Sequence, residues 1–358
     1  MLHWGFPKFF FCCYFRRMKF EHVTIKTLAN ITGFSTTTVS RVLNGTYRKY
    51  RVSESTAKII NSEAKKLQYI PNQAAVNLRL KKNQSIGLIV PSLANPFFST
   101  IASIISKAFY NRNYSVYMID CDENQQIEKE TINKISAQNM DGLIVIPSGN
   151  EYDHLQRLIS INLPMIFIDR YFEGLPVPFV STDHFQGALS AIELLVKSGH
   201  RKIACIQGNP EVVSNVERVK GYQAGIAKYG LTFEYVGGQQ FTTKSGYDET
   251  KRILGLKDKP TAIFALSDTI SLGVLEALKE QGYRIPEDFS LVSFDNSQYL
   301  DYLECPITSI AHPVEEIAEI AVNLLFERME NPSAEQTSRL FPPHLIERDS
   351  IKNIAATI

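Results

Sequence analysis

Residues 24–45 read TIKTLANITGFSTTTVSRVLNG. Thr24 offers a hydroxyl cap, and Leu28 and Ile31 follow at helical spacing as far as Gly33, which predicts a first helix. Ser35 caps a second, Thr36–Leu43, which Asn44-Gly45 ends. Ala29 and Gly33 supply the small residues that a close helix crossing needs, and Gly33 opens the turn. Two short helices so joined are either an ordinary helical hairpin or a helix-turn-helix. In the latter, the second helix enters the DNA major groove with its N-terminal residues at base edges. Ser53 caps a third helix, in which Ala57, Ile60, Ala64 and Leu67 form one apolar stripe. Pro71-Asn72 then interrupts the chain before a short segment, Gln73–Leu80, and a polar linker, Lys81–Gln84.

From Ser85 the texture changes. Apolar runs such as Ile86–Val90, Val116–Ile119, Leu143–Ile146 and Met165–Ile168 alternate with amphipathic stretches. After Asp183 the cycle repeats, with runs at Ile203–Gln207, Ala262–Ala265 and Leu291–Phe294. Two such series predict two doubly wound parallel α/β lobes, with ligands beyond the carboxyl ends of the strands. No phosphate loop or Gly-x-Gly-x-x-Gly follows any of these runs, so nucleotide chemistry has little support.

Length and charge agree with that division. The chain has 358 residues, 38 Lys+Arg against 37 Asp+Glu, for a net charge of +1. Residues 18–82 carry 12 basic residues and 3 Glu, whereas residues 83–358 carry 23 basic and 34 acidic ones. A basic head on an acidic body is the asymmetry of a nucleic-acid binder with a separate regulatory module. The 5 cysteines form no Cys-x-x-Cys and the 7 histidines no His-Glu-x-x-His, so no structural metal or disulfide framework is expected, and the thiols suit a cytoplasmic protein. No window is long and apolar enough to span a bilayer. Residues 1–17, with seven aromatics and trailing arginines, read poorly as a signal peptide. The expectation is that they are a non-native extension and that translation begins at Met18.

Taken together, the motifs resemble the lac repressor/galactose repressor family of bacterial transcription regulators. The resemblance rests on Thr24-Ile25-Lys26, Thr38-Val39-Ser40-Arg41-Val42-Leu43-Asn44-Gly45, Val52-Ser53-Glu54 and Tyr69-Ile70-Pro71-Asn72. It continues through Asn95-Pro96-Phe97-Phe98, Gly199-His200-Arg201, Arg218, Ala265-Leu266-Ser267-Asp268 and Phe294-Asp295, covering essentially everything after Met18. It implies an all-α helix-turn-helix head (18–70), a hinge helix and linker (71–84), and a two-lobed periplasmic-binding-protein-like core (85–358). The first lobe would comprise about 85–181 plus 314–341, the second about 182–313 plus 342–358. The implied function is a homodimeric repressor, without catalytic residues or cofactor, on a near-palindromic DNA operator, controlled by a carbohydrate-like effector between the lobes.

Residue roles follow from the resemblance. Thr36, Thr37 and Arg41 would meet base edges, an arginine being able to reach guanine O6 and N7 bidentately. Thr38, Ser40 and Asn44 would hold phosphates. The loop after Asn44 is about three residues longer than the family pattern. Its Arg48, Lys49 and Arg51 are either phosphate contacts or a solvated tip. Asn72, Ala75 and Leu78 match the family's hinge helix, in which a leucine wedges between base pairs in the minor groove. Asn95, Phe97, Asp169, Arg218, Phe241, Ser267 and Asp295 would surround the effector. Ser92 and Ser267 shorten polar positions of the family pattern, and Val212 stands where the purine-responsive branch would carry an arginine. A sugar, sugar acid or sugar phosphate is therefore the expected ligand. The competing classes are a periplasmic solute-binding protein, which would need an export signal and no head, and an enzyme, for which no nucleophile elbow or metal cluster speaks.

Overall fold

A computed structural model of the chain describes residues 23–69, 83–332 and 337–355. It divides into two units, 1–81 and 82–358. Residues 1–17 and the hinge positions Asn72, Ala75 and Leu78 lie outside the described residues.

In the first unit, α1 (Ile25–Thr32) begins at Thr24, whose hydroxyl accepts from the Thr27 amide, and ends at Gly33 with φ 74°. That left-handed conformation is open to glycine at little cost, which lets the chain turn at once into α2 (Thr36–Leu43). Ser35 and Ser53 cap α2 and α3 (Glu54–Lys66) in the same way. Each such cap contributes about 1 kcal/mol. Leu28, Ala29, Val39, Val42, Ala57, Ile60 and Ala64 form the core where the three helices meet. Between α2 and α3 the additional loop residues fold into a 3-10 turn, Tyr47–Tyr50.

The second unit holds two six-stranded sheets built to one plan. The first lobe runs β1 (Ser85–Val90), α4 (Pro96–Tyr110), β2 (Ser115–Asp120), α5 (Gln125–Ile135), β3 (Gly142–Val145), α6 (Asp153–Ser160), β4 (Met165–Ile168) and β5 (Phe179–Thr182). The second runs α7 (His184–Lys197), β6 (Ile203–Ile206), α8 (Val213–Lys228), β7 (Tyr235–Gly237), α9 (Thr243–Leu254), β8 (Ala262–Ala265), α10 (Asp268–Glu280), β9 (Ser290–Phe294) and β10 (Thr308–Ala311). The chain then returns as α11 (Val314–Glu330), β11 (Arg339–Phe341) and β12 (His344–Ile346). Strand order is β11-β5-β4-β3-β1-β2 in one sheet and β12-β10-β9-β8-β6-β7 in the other, with only the β10–β12 pair antiparallel among the described residues. The central strands are buried on both faces, which is why they read as unbroken apolar runs.

Three segments cross between the lobes. They run from β5 to α7, from β10 to α11, and from β11 to β12. The apolar face of α11, with Ile317, Ala321 and Leu325, packs into the first lobe's core, while Ala188 and Ile192 of α7 pack into the second's. The short strands Phe179–Thr182, Thr308–Ala311, Arg339–Phe341 and His344–Ile346 are additions to the sequence reading. They are three or four residues long; the first two are largely buried but rich in Ser and Thr, and the last two are partly exposed, so no period-2 signal marks them. No helix among the described residues is long and apolar enough to cross a membrane.

Candidate functional site

In the head, Thr36 and Thr37 are exposed at the first turn of α2. The Thr38 hydroxyl lies 2.9 Å from that of Ser35, and Asn44 donates to the Ser40 carbonyl and hydroxyl at 2.6 and 3.1 Å. On the polar face of α2, Thr38, Ser40 and Asn44 are thus bonded within the head. The chain after Gly45 doubles back, its Thr46 amide bonding the Arg41 carbonyl at 3.0 Å. This return places the Tyr50 ring 3.9 Å below the Arg41 guanidinium. Stacking occupies the flat face of the guanidinium and leaves its in-plane N–H edge free. Arg48 is drawn the other way, to Glu54 at 2.8 Å, where the Tyr47 hydroxyl also donates at 3.0 Å. Lys49 and Arg51 are exposed.

In the core, each sheet ends at an aspartate in an unusual backbone conformation. Asp169 follows β4 at φ 61° and Asp295 follows β9 at φ 67°. Asp tolerates this left-handed region better than most residues, at a strain cost of about 1 kcal/mol or more. Both carboxylates are buried, and each meets a histidine on a crossover segment. Asp169 Oδ1 lies 3.1 Å from His184 Nε2, and Asp295 Oδ1 accepts from His312 Nε2 at 2.8 Å. Arg218 bridges the two pairs. Its Nε reaches His184 Nδ1 at 3.3 Å, its Nη2 lies 3.4 Å from His312 Nε2, and its Nη1 donates to the Leu266 carbonyl at 2.6 Å. The guanidinium also lies 3.8 Å from the centre of the Phe294 ring.

Burial alone would raise the Asp169 and Asp295 carboxyls. For Asp169 the neighbouring His184 and then Arg218 outweigh it, and for Asp295 Arg218 and His312 do, so both are held below the ordinary range. Burial pushes His184 down, toward the neutral form. Asp268 goes the opposite way: burial and the adjacent Asp295 charge push it up to about 7. Ligand atoms of Asp169, His184 and His312 lie within 4.8 Å of one another, a spacing a metal could use. The Arg218 cation, hydrogen-bonded to His184 and lying beside His312, opposes that use.

A cavity of about 980 Å³ opens between the lobes above this floor. Its lining follows strand ends: Ser92 after β1, Asp122 and Glu123 after β2, Ser148 after β3, Asn209 after β6, and Gln239 and Gln240 after β7. A narrower recess beneath is lined by Asn95, Phe97, Asp169, Arg218, Phe241 and Asp295, with Phe98, Arg170 and Ser214 beside them. Six of the seven effector residues named from the sequence thus share one recess. Ser267 does not line it; it caps α10 by accepting from the Ile270 amide at 3.1 Å. Asn95 serves double duty, capping α4 through the Phe97 amide at 2.9 Å. Phe241 seats against Gly208, where an added Cβ would come within 2.4 Å of the ring.

Arg170, which the sequence reading passed over, grips Glu123 with both terminal nitrogens at 2.8 and 2.9 Å. Burial disfavours its charge, but Glu123 outweighs that and holds its pKa up. Three buried polar atoms around the cleft have no hydrogen-bond or ion-pair partner: Ser148 Oγ, Arg170 Nε and Asp268 Oδ1. Leaving such groups unpaired costs about 1–3 kcal/mol each, so a site that holds several is built to be completed by a ligand. The rule that ligands lie beyond strand carboxyl ends would have found Ser148 and Arg170, since each follows an apolar run by a few residues.

Comparison with known proteins gives the same division. Residues 24–72 match the model of bacterial regulatory proteins, lacI family, and residues 192–351 that of a periplasmic binding protein-like domain. The chain is 32% identical to the transcriptional repressor CytR of Escherichia coli over 92% of this chain and 96% of that one. It is 30% identical to the transcriptional repressor PurR of Mannheimia succiniciproducens, over 93% and 99% respectively. The lac repressor dimer bound to operator and the anti-inducer ONPF has a similar structure, with TM-score 0.81 and 26% identity over 92% of this chain and 99% of that one.

Proposed function

Because the chain belongs to the lacI family of bacterial regulatory proteins, we propose that it is a cytoplasmic, homodimeric repressor of transcription. It binds a near-palindromic operator and responds to a small polyhydroxyl effector held between its lobes. The observation that carries the effector half of this reading is the cleft with its unpaired buried polar atoms. Hydroxyl groups, which both donate and accept, satisfy a carboxylate oxygen and a guanidinium N–H at once. Phe241 offers an apolar face for a ring, and Arg218 and Asp295 anchor the floor.

For the DNA half, Thr36, Thr37 and Arg41 read base edges, Arg41 through the guanidinium edge that Tyr50 leaves open. Thr38, Ser40, Asn44, Lys49 and Arg51 face phosphates. Arg48 serves the loop instead, through Glu54. Asn72, Ala75 and Leu78 form the hinge, with Leu78 as the minor-groove wedge. A dimer lets two heads read two half-sites. Exposed Tyr110, Tyr117 and Met118 on one edge of the first lobe suit a second copy.

Selection of fragmented genomic DNA on the purified protein tests the reading. The expected result is enrichment of a short near-palindrome whose retention falls with salt and shifts with an added sugar. Retention of random DNA at equal strength would overturn it.

A further inference from the structure

The cleft also constrains the charge and size of the effector, an inference that rests on the effector reading above. The outer cavity carries Asp122, Glu123 and Glu211, and no Lys, Arg or His among the described residues lines it. Glu123 is matched by Arg170, but Asp122 and Glu211 form no ion pair among the described residues. Deeper in, Arg218 is shared between Asp295 and the Leu266 carbonyl. Neither buried guanidinium is thus an unmatched cation waiting for an anion.

Helix N-termini are the other common anion receptors. Five helices begin at the cavity wall: α4, α5, α9 and α10 are closed by their own side chains, whereas α8, which follows Asn209, Pro210 and Glu211 of the lining, has no side-chain cap. Asn95 accepts from the Phe97 amide, Asn124 from the Gln126 amide, and Thr242 from the Ser245 amide. A phosphate or carboxylate entering here would meet uncompensated carboxylates, and the one uncapped helix start, that of α8, has the Glu211 carboxylate beside it.

Other features of the wall favour hydroxyls. Ser148 is only 2% exposed, lines the cavity, and has an unpartnered hydroxyl. Phe241 and Tyr299 give the same wall two aromatic rings. Gln125, Gln239 and Gln240 add amides that pair with hydroxyls as donor or acceptor. The cavity, about 980 Å³, sits at the upper end of the size range of small-molecule sites, and the recess adds only about 10 Å³ to it.

We propose that the effector is an uncharged oligosaccharide of at least two sugar units. Its terminal unit reaches toward the Asp169, Arg170 and Arg218 recess, and the rest lies along the wall between Asp122 and Glu211. Sugar phosphates and sugar acids are discriminated against by the unpaired carboxylates of that wall.

Calorimetric titration of the full-length protein tests this with a panel of cellobiose, maltose and maltotriose, glucose, glucose 6-phosphate and gluconate. The expected result is that a neutral di- or trisaccharide binds at least tenfold tighter than glucose and than either charged sugar. In the Asp122→Asn, Glu211→Gln double variant, the affinity for glucose 6-phosphate rises roughly tenfold, a change of about 1.4 kcal/mol. If the tightest ligand carries a phosphate or carboxylate, or the double variant leaves the charged sugars where they were, the assignment is overturned while the cleft stands as the effector site. Absence of heat with every sugar, with operator retention equally unmoved, overturns the polyhydroxyl reading itself.

Discussion

In the head, every buried side chain among the described residues is apolar, from Leu28 to Ala64, and its cations stay at the surface. In the core, Arg170 and Arg218 are almost wholly withdrawn from water, each locked to a carboxylate. The difference suits what each region is proposed to bind. A phosphate backbone is a dense line of charge surrounded by counterions, and attracts exposed cations over a long range. A small neutral ligand offers only hydroxyls and ring faces, so the core fixes its polar atoms in advance, within dry surroundings where a hydrogen bond discriminates most. One region spends its stability on an apolar core, and the other tolerates strain and unpaired atoms for the sake of a preformed site.

The largest expected effect breaks the core's side of this contrast. Arg218→Ala leaves Asp295 and Asp169 buried without their shared cation, and loss of one partner of a buried pair costs about 3–5 kcal/mol. Chemical denaturation is expected to register that loss in the core transition, with sugar binding abolished. A loss below about 1 kcal/mol would mean that the floor is wet and the contrast overstated. Leu28→Ala attacks the other side, since truncation of a fully buried leucine costs about 2–5 kcal/mol. In a unit with seven buried apolar residues among those described, this is expected to abolish specific operator binding while calorimetry still finds the sugar bound.

A smaller effect concerns pH. Asp268 titrates in the folded state at about 7, against an ordinary value of 3.8. Between these values the folded protein holds the extra proton, so this group's contribution makes stability fall as pH rises through the window and level off above it. From pH 8 to pH 6, wild type is expected to gain on the order of 1 kcal/mol relative to Asp268→Asn. Parallel stability curves for the two would show that the carboxyl ionises normally. No counterpart is expected in the head, which buries no ionisable group among the described residues.

The smallest effect sharpens the head's side. Tyr50→Ala removes the platform under Arg41, a contact worth about 0.5–1 kcal/mol at an exposed site, so operator affinity is expected to fall about two- to fivefold. Tyr50→Phe keeps the ring and is expected to keep the affinity, and binding to unrelated DNA should stay level in both. An equal loss on both DNAs would make Tyr50 a phosphate contact, with no part in positioning Arg41.

Local signals alone placed much of this molecule. Thr24, Ser35 and Ser53 each cap the helix that follows, because a cap needs only an oxygen and an amide two or three residues on. The runs at Ile86–Val90, Met165–Ile168 and Ala262–Ala265 marked buried parallel strands, because a strand covered on both faces must be apolar throughout. The family motifs carried the rest of the architecture and named six of the recess residues.

What only the tertiary structure decided is which distant residues meet. Glu123 and Arg170 are 47 positions apart, Arg218 and His312 are 94, and Thr182 and His312 are 130. Nothing in the neighbourhood of any of these residues marks its partner. Their meeting depends on strand order and on the three crossovers, which bring the carboxyl ends of both sheets to one cleft. The same holds at short range for Arg41 and Tyr50, whose stacking waits on the chain reversal at Thr46. Helix caps and strand runs were legible because their energies are set within a few residues. The cleft was not, because its energies are set by the fold.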